Sequence, residues 1–173
     1  NHYYANEMRY PKKGGYFSFI EAISKKTNIK LNMAVRKIDL ETKTLEFENG
    51  SIENYDSIIS SLPLPLICGL IKNCPKNIAE ASTKLVWTTV DLISIGVKKK
   101  NISPHLWFYI YDKDCSASRC YSPSKKSPHN APMGCSSVQF EIYGSSKDKR
   151  LDKESLKLEM KKKLIDMGLC EEE

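Results

Sequence analysis

Apolar residues follow two different periods along this chain, and the switch between them outlines its elements. From residue 16 to 26, Phe17, Ile20 and Ile23 recur at helical spacing while Glu21, Lys25 and Lys26 fall elsewhere. That spacing predicts a short amphipathic helix behind the turn-forming pair Gly14-Gly15. Residues 29–33, 35–40, 44–47 and 51–55 then read as strands, separated by Glu41-Thr42-Lys43 and by Asn49-Gly50. Asn-Gly between two strands is a strong hairpin signal because both residues tolerate positive φ, so a β-meander is expected. Residues 56–63 predict a buried strand that ends in Ser60-Ser61-Leu62-Pro63. Two short helices are expected over 65–72 and 76–84, broken at Asn73-Cys74-Pro75.

The second half changes character. Residues 86–98 form a long β-branched run, and 106–111, 119–122 and 136–143 continue it. Residues 151–167 close the chain as an amphipathic helix in which Leu156, Met160, Leu164 and Met167 are spaced by four, four and three. The fold class expected is α/β with α+β character, a mixed and largely antiparallel sheet over 86–143 flanked by helices on one side. No repeat or low-complexity linker marks a boundary.

Composition narrows the reading. At 173 residues with 40% hydrophobic and 28% charged content, the chain has the size of one ordinary domain with a real core. The most apolar segment, residues 58–71, contains Pro63, Pro65 and Gly69, which excludes it as a membrane span. The start at Asn1 shows no basic stretch leading into an apolar run, so no signal peptide is visible and an excised piece of a cytoplasmic protein is expected. The formal charge of +6 comes from short lysine runs at 98–100, 125–126 and 161–163, a solvated surface rather than a nucleic-acid footprint. One well-placed cation for a phosphate-bearing substrate is compatible with the same balance. Six cysteines without a CxxC pair predict free thiols in a reducing compartment and no metal site.

Three stretches go beyond what a fold alone requires. They are Arg9-Tyr10-Pro11-Lys12-Lys13-Gly14-Gly15, the strand Val35-Arg36-Lys37-Ile38 with the later Ser60-Ser61-Leu62-Pro63, and Trp107-Phe108-Tyr109 with Arg119 and Ser127-Pro128-His129-Asn130-Ala131-Pro132. Singly, each has a plain alternative: a turn, a core valine, a sheet aromatic, a surface cation. His105 and His129 sit beside prolines in loops and are given no proton-transfer role.

Over roughly residues 8–143 the three stretches together resemble the flavin-containing amine oxidase superfamily. The third is most similar to the UDP-galactopyranose mutases and their lipopolysaccharide-biosynthesis relatives. The resemblance implies that Gly14, Gly15, Val35, Ser61 and Pro63 line an FAD site, and that Tyr109, Arg119 and Asn130 bind a UDP-sugar. It divides the chain into residues 1–63, a remnant of an FAD domain with glycine turn, helix and meander, and residues 64–173, a substrate domain. In the intact mutases reduced flavin attacks the anomeric carbon, UDP leaves, and the ring recloses as the furanose; catalytic residues are not assigned. A guanidinium matches phosphate oxygens with a planar donor fork, and a phenol adds a donor on a rigid body. The sequence departs from the family in having no Gly-x-Gly-x-x-Gly to grip the FAD pyrophosphate, so the chain by itself is expected to be nearly empty of FAD. Two alternatives stand beside this: an FAD-dependent amine oxidase, protoporphyrinogen oxidase or desaturase, and a non-catalytic β-sheet module that binds a partner protein.

Overall fold

A computed structural model describes residues 9–149 and 151–171. The chain divides into two compact units, one of residues 28–87 and the other of the segments before and after it.

In the 28–87 unit, β1 (Val35–Asp39), β2 (Thr44–Phe47) and β3 (Ile52–Asn54) form an antiparallel meander in that order. Asn49-Gly50 makes the β2–β3 turn: Gly50 takes φ 83 and the Asn49 side chain accepts the Ser51 N–H at 3.0 Å. The β1–β2 turn is held by Asp39, whose carboxylate accepts the N–H groups of Glu41 and Thr42 at 3.1 Å each and pairs with Lys72 at 2.8 Å. The Lys72 ammonium and these N–H donors hold the Asp39 carboxyl well below the usual range. Helices α2 (Leu64–Leu70) and α3 (Lys76–Thr83) follow.

Two expected strands are not formed. Residues 29–33 are irregular, and so are 57–63, where Ile59 is fully exposed. The reason lies at the sheet edge: the backbone beside Ile38 is taken by a parallel bridge to Ile71, with Lys72 N–H donating to the Ile38 carbonyl at 2.8 Å. That leaves 57–61 without a ladder in this unit, and an apolar run without a partner strand has nothing to order it.

The other unit is built on a four-stranded antiparallel sheet. β4 (Thr88–Val97), β5 (Trp107–Tyr109), β6 (Arg119–Tyr121) and β7 (Ser136–Ser145) lie in the order β4-β7-β6-β5. β4 and β7 pair over ten residues, from Thr88 opposite Ser145 to Val97 opposite Ser136. Strand period 2 sends Val138, Phe140 and Ile142 to one face. There they are buried with Cys120 against Leu156, Met160 and Leu164 of α5 (Lys153–Asp166). Asp152 caps α5 by accepting the Ser155 N–H at 2.8 Å. Glu159 and Lys163 tie it to the loop after β5: Glu159 accepts the Ser116 N–H at 2.6 Å, and Lys163 pairs with Asp112 at 2.6 Å.

The helix expected over 16–26 forms as a 3-10 turn, Tyr16–Phe19, and one α-turn, α1 (Glu21–Ser24). Its apolar residues stay out of the core, with Phe17 and Ile23 both exposed. Among the described residues no helix is long and apolar enough to cross a membrane, and all six cysteines are free thiols.

Phe140 is fully buried at the centre of the face under α5. Phe140→Ala should lower stability by about 3–5 kcal/mol, the usual cost of such a cavity, measured by urea denaturation. A loss below about 1 kcal/mol would mean that α5 does not pack on this face.

Candidate functional site

The strand alternation that buries Phe140 turns its neighbours to the opposite face, away from α5. Register brings three of them into one row: Tyr109 on β5 stands opposite Arg119 on β6, which stands opposite Glu141 on β7. Arg119 donates from Nε to Glu141 Oε2 at 2.9 Å and from Nη2 to Oε1 at 2.6 Å, a two-pronged pair. The Tyr109 hydroxyl, opposite on β5, adds to the pull that keeps the guanidinium charged. Tyr143, two residues along β7, donates its hydroxyl to Glu141 Oε2.

The electrostatics follow from burial. The Glu141 side chain keeps 8% of its exposure and that of Arg119 36%, so the carboxylate is the buried partner and the cation remains in reach of solvent. Burial pushes Glu141 upward, but the Arg119 guanidinium and the Tyr143 hydroxyl outweigh it and hold the carboxyl below the ordinary glutamate range. The bond to Glu141 raises Arg119 and Tyr143 above their usual values. The row thus holds one ion pair flanked by the phenols of Tyr109 and Tyr143, each about half exposed.

A second cation borders the row. β6 leads through Ser122 into α4 (Pro123–Lys126), and the Lys126 ammonium lies 4.2 Å from the Tyr121 ring centroid and 5.8 Å from that of Tyr10. Ser127 holds the glycine-turn segment here by donating its hydroxyl to the Lys12 carbonyl at 2.6 Å. The sequence reading did not single out Glu141, Tyr143 or Lys126. The available signal for the first two was the two-residue period along β7 that sets Glu141 and Tyr143 against the apolar positions.

Of the expected substrate residues, Tyr109 and Arg119 are brought together. Asn130 lies in the 3-10 turn Pro128–Asn130, where its side chain donates to the Pro123 carbonyl at 2.9 Å and closes that loop. Among the expected flavin-side residues, Gly14 and Gly15 both take positive φ, 82 and 61. Gly15 with ψ −160 is in a region open essentially to glycine alone, and a Cβ on Gly14 would come within 3.2 Å of Ser18 Cβ. Val35 begins β1, Ser61 is exposed, and Pro63 precedes the first residue of α2, all within the 28–87 unit. Among the described residues no group of three His, Cys, Asp or Glu side chains could hold a metal.

The unit is thus an antiparallel sheet with a helix on one face and a row of phenols and cations on the other. The sequence profile of the flavin containing amine oxidoreductases matches residues 1–146, and the chain belongs to that family. A solved structure of reduced UDP-galactopyranose mutase has the same fold, with a TM-score of 0.80 and 24% identity over 93% of this chain and 36% of that one. A protein of Pyrococcus furiosus is more distant, with a TM-score of 0.57 and 12% identity over 78% of this chain and 33% of that one. No curated protein matches. The chain thus spans little more than a third of the solved structures it resembles.

The residues present fit a flavin only in part. The glycine turn allows close backbone approach, but no glycine-rich strand-to-helix loop for a pyrophosphate occurs in the 173 residues. The purified chain should therefore carry flavin far below one per molecule, read from its visible absorbance; a stoichiometric yellow sample would contradict this. A second expectation concerns the ion pair. A glutamate held below its unfolded value of about 4.3 contributes stability above that pH, and the contribution is lost as pH falls through the still lower folded value. Arg119→Ala should cost about 1–3 kcal/mol at pH 7, and progressively less as pH falls through the lowered folded value of Glu141, because a protonated carboxyl needs no cation. A loss that stays constant as the pH of the urea denaturation series is lowered would remove this account.

Proposed function

We propose that the chain supplies the nucleotide-sugar-binding sheet of an FAD-dependent enzyme of the UDP-galactopyranose mutase kind. Such an enzyme interconverts pyranose and furanose forms of a UDP-sugar for lipopolysaccharide or surface-polysaccharide synthesis. The observation that carries the reading is the Tyr109–Arg119–Glu141 row on the sheet face turned away from α5. The shared fold with a solved structure of reduced UDP-galactopyranose mutase supports it.

In this reading Arg119 and Tyr109 bind the diphosphate. Glu141 fixes the guanidinium through Nε and Nη2, and the diphosphate takes N–H donors that this pair leaves over. The half-exposed Tyr109 hydroxyl adds a donor beside it, so the diphosphate meets a preset pair rather than two mobile side chains. The role is electrostatic: fixed donors face the charge that builds on a departing diphosphate, and no proton is transferred. Asn130 orders the loop after α4 and so bounds the site. FAD, when bound, would supply the covalent chemistry at the sugar.

A second reading is favoured by the same ion pair. Because Glu141 already takes two of the guanidinium's donors, Arg119 can serve as a structural partner in an oxidoreductase of the family whose substrate carries no diphosphate.

The two are separated by UDP. On the first reading, UDP stabilises the protein against thermal unfolding, by about 2.7 kcal/mol at a hundredfold excess over Kd. Arg119→Ala should then weaken UDP binding by about 2–3 kcal/mol and Tyr109→Phe by about 1 kcal/mol, measured by calorimetric titration. Absence of any UDP response in the parent protein favours the second reading.

A further inference from the structure

The charges on the sheet face away from α5 do not add up as Arg119 alone suggests. Its guanidinium is matched one to one by the buried Glu141 carboxylate, so the pair is neutral as a unit. A ligand with two linked phosphates brings at least two negative charges and needs a cation that no protein carboxylate has already claimed. Among the described residues Lys126 meets that condition. Its interactions are with two aromatic rings, Tyr121 at 4.2 Å and Tyr10 at 5.8 Å, and no described carboxylate forms an ion pair with it. A ring face attracts an ammonium by its quadrupole, but weakly at a partly exposed site, and leaves N–H donors free for a stronger acceptor.

Position agrees with charge. Tyr121 and Arg119 are two residues apart on β6, so both side chains stand on the face away from α5 and Lys126 lies over that face beside the row. Its charge is felt at Glu141. The ammonium is held at the end of a strand-to-helix connection and not on a freely swinging surface stem. Ser122, which precedes α4, donates its hydroxyl to the Ser137 carbonyl on β7 at 2.9 Å, and Ser127, which follows it, donates to the Lys12 carbonyl. Part of the entropy of ordering a lysine is therefore already met by the fold.

Resting on the reading above, we infer that Lys126 is the anion-binding residue that gives this face its net positive charge, and that it takes a phosphate of the ligand's diphosphate while Tyr10 and Tyr121 hold the ammonium in place. The adjacent Lys125, on the same short helix and exposed, has no such ring contacts and serves as the control for general charge.

The experiment titrates the protein with inorganic pyrophosphate and with UDP, for the parent and for Lys126→Gln, Lys126→Arg and Lys125→Gln, at low salt by calorimetry. Lys126→Gln is expected to weaken both ligands about tenfold or more, Lys126→Arg to retain most of the affinity, and Lys125→Gln to leave it unchanged. Pyrophosphate binding that depends on Lys126, with UDP bound no more tightly than pyrophosphate, upholds the anion site and removes the nucleotide-sugar reading. UDP and pyrophosphate bound equally by the parent and Lys126→Gln overturn the anion site and leave that reading standing. Equal weakening by Lys125→Gln and Lys126→Gln also overturns the site, since it reports only lost charge. A parent protein that binds neither anion overturns both.

Discussion

The two-residue alternation of β7 is the constraint on which the larger unit rests. Val138, Phe140 and Ile142 must face α5, because no other apolar surface in the unit covers them so completely. Once they do, Gln139, Glu141 and Tyr143 face the other way. A slip of one residue in the β4–β7 or β6–β7 pairing would put the Glu141 carboxylate under the helix and Phe140 in solvent, and the cost of both errors pins the register. The placing of Tyr109 opposite Arg119 opposite Glu141 is thus a by-product of core packing on the far side of the same sheet.

Burial then sorts the roles within that row. A carboxylate as buried as Glu141 is tolerable only when paired and hydrogen-bonded, and Arg119 with Tyr143 provides both. The guanidinium is rigidly oriented in return, and its charge is cancelled at short range. On the proposed reading, the face offers a ligand geometry from Arg119 and Tyr109, and charge from Lys126. These are different contributions, and a sequence search for basic residues does not separate them.

Family membership gives the chain a flavin context, and its span of 36% of a solved mutase gives that context a limit. The chain's own residues build a sheet face carrying an ion pair between phenols, and a tight glycine turn. They do not include the glycine loop by which flavoproteins of this type grip a pyrophosphate. The activity proposed for the whole enzyme is for that reason argued from the sheet face and not from the flavin side.

Much of the local structure was legible in the chain itself. Asn49-Gly50 marked the hairpin, in which Gly50 takes the positive φ and Asn49 accepts the Ser51 N–H; the 4-4-3 spacing of Leu156, Met160, Leu164 and Met167 marked α5, and β-branched runs marked the long strands. The motif order pointed to the flavin family and to Tyr109 and Arg119. Residues 57–63 misled because an apolar run reads as a strand whether or not a neighbour exists to complete its ladder. Glu141, Tyr143 and Lys126 were hidden for a related reason: each matters through a partner that lies 2 to 116 positions away, from Tyr143 on Glu141 to Lys126 beside Tyr10. Periodicity is a property of a segment and can be read from it; which cation is already paired, and which is free to bind, is decided only when strands distant in the chain are laid side by side.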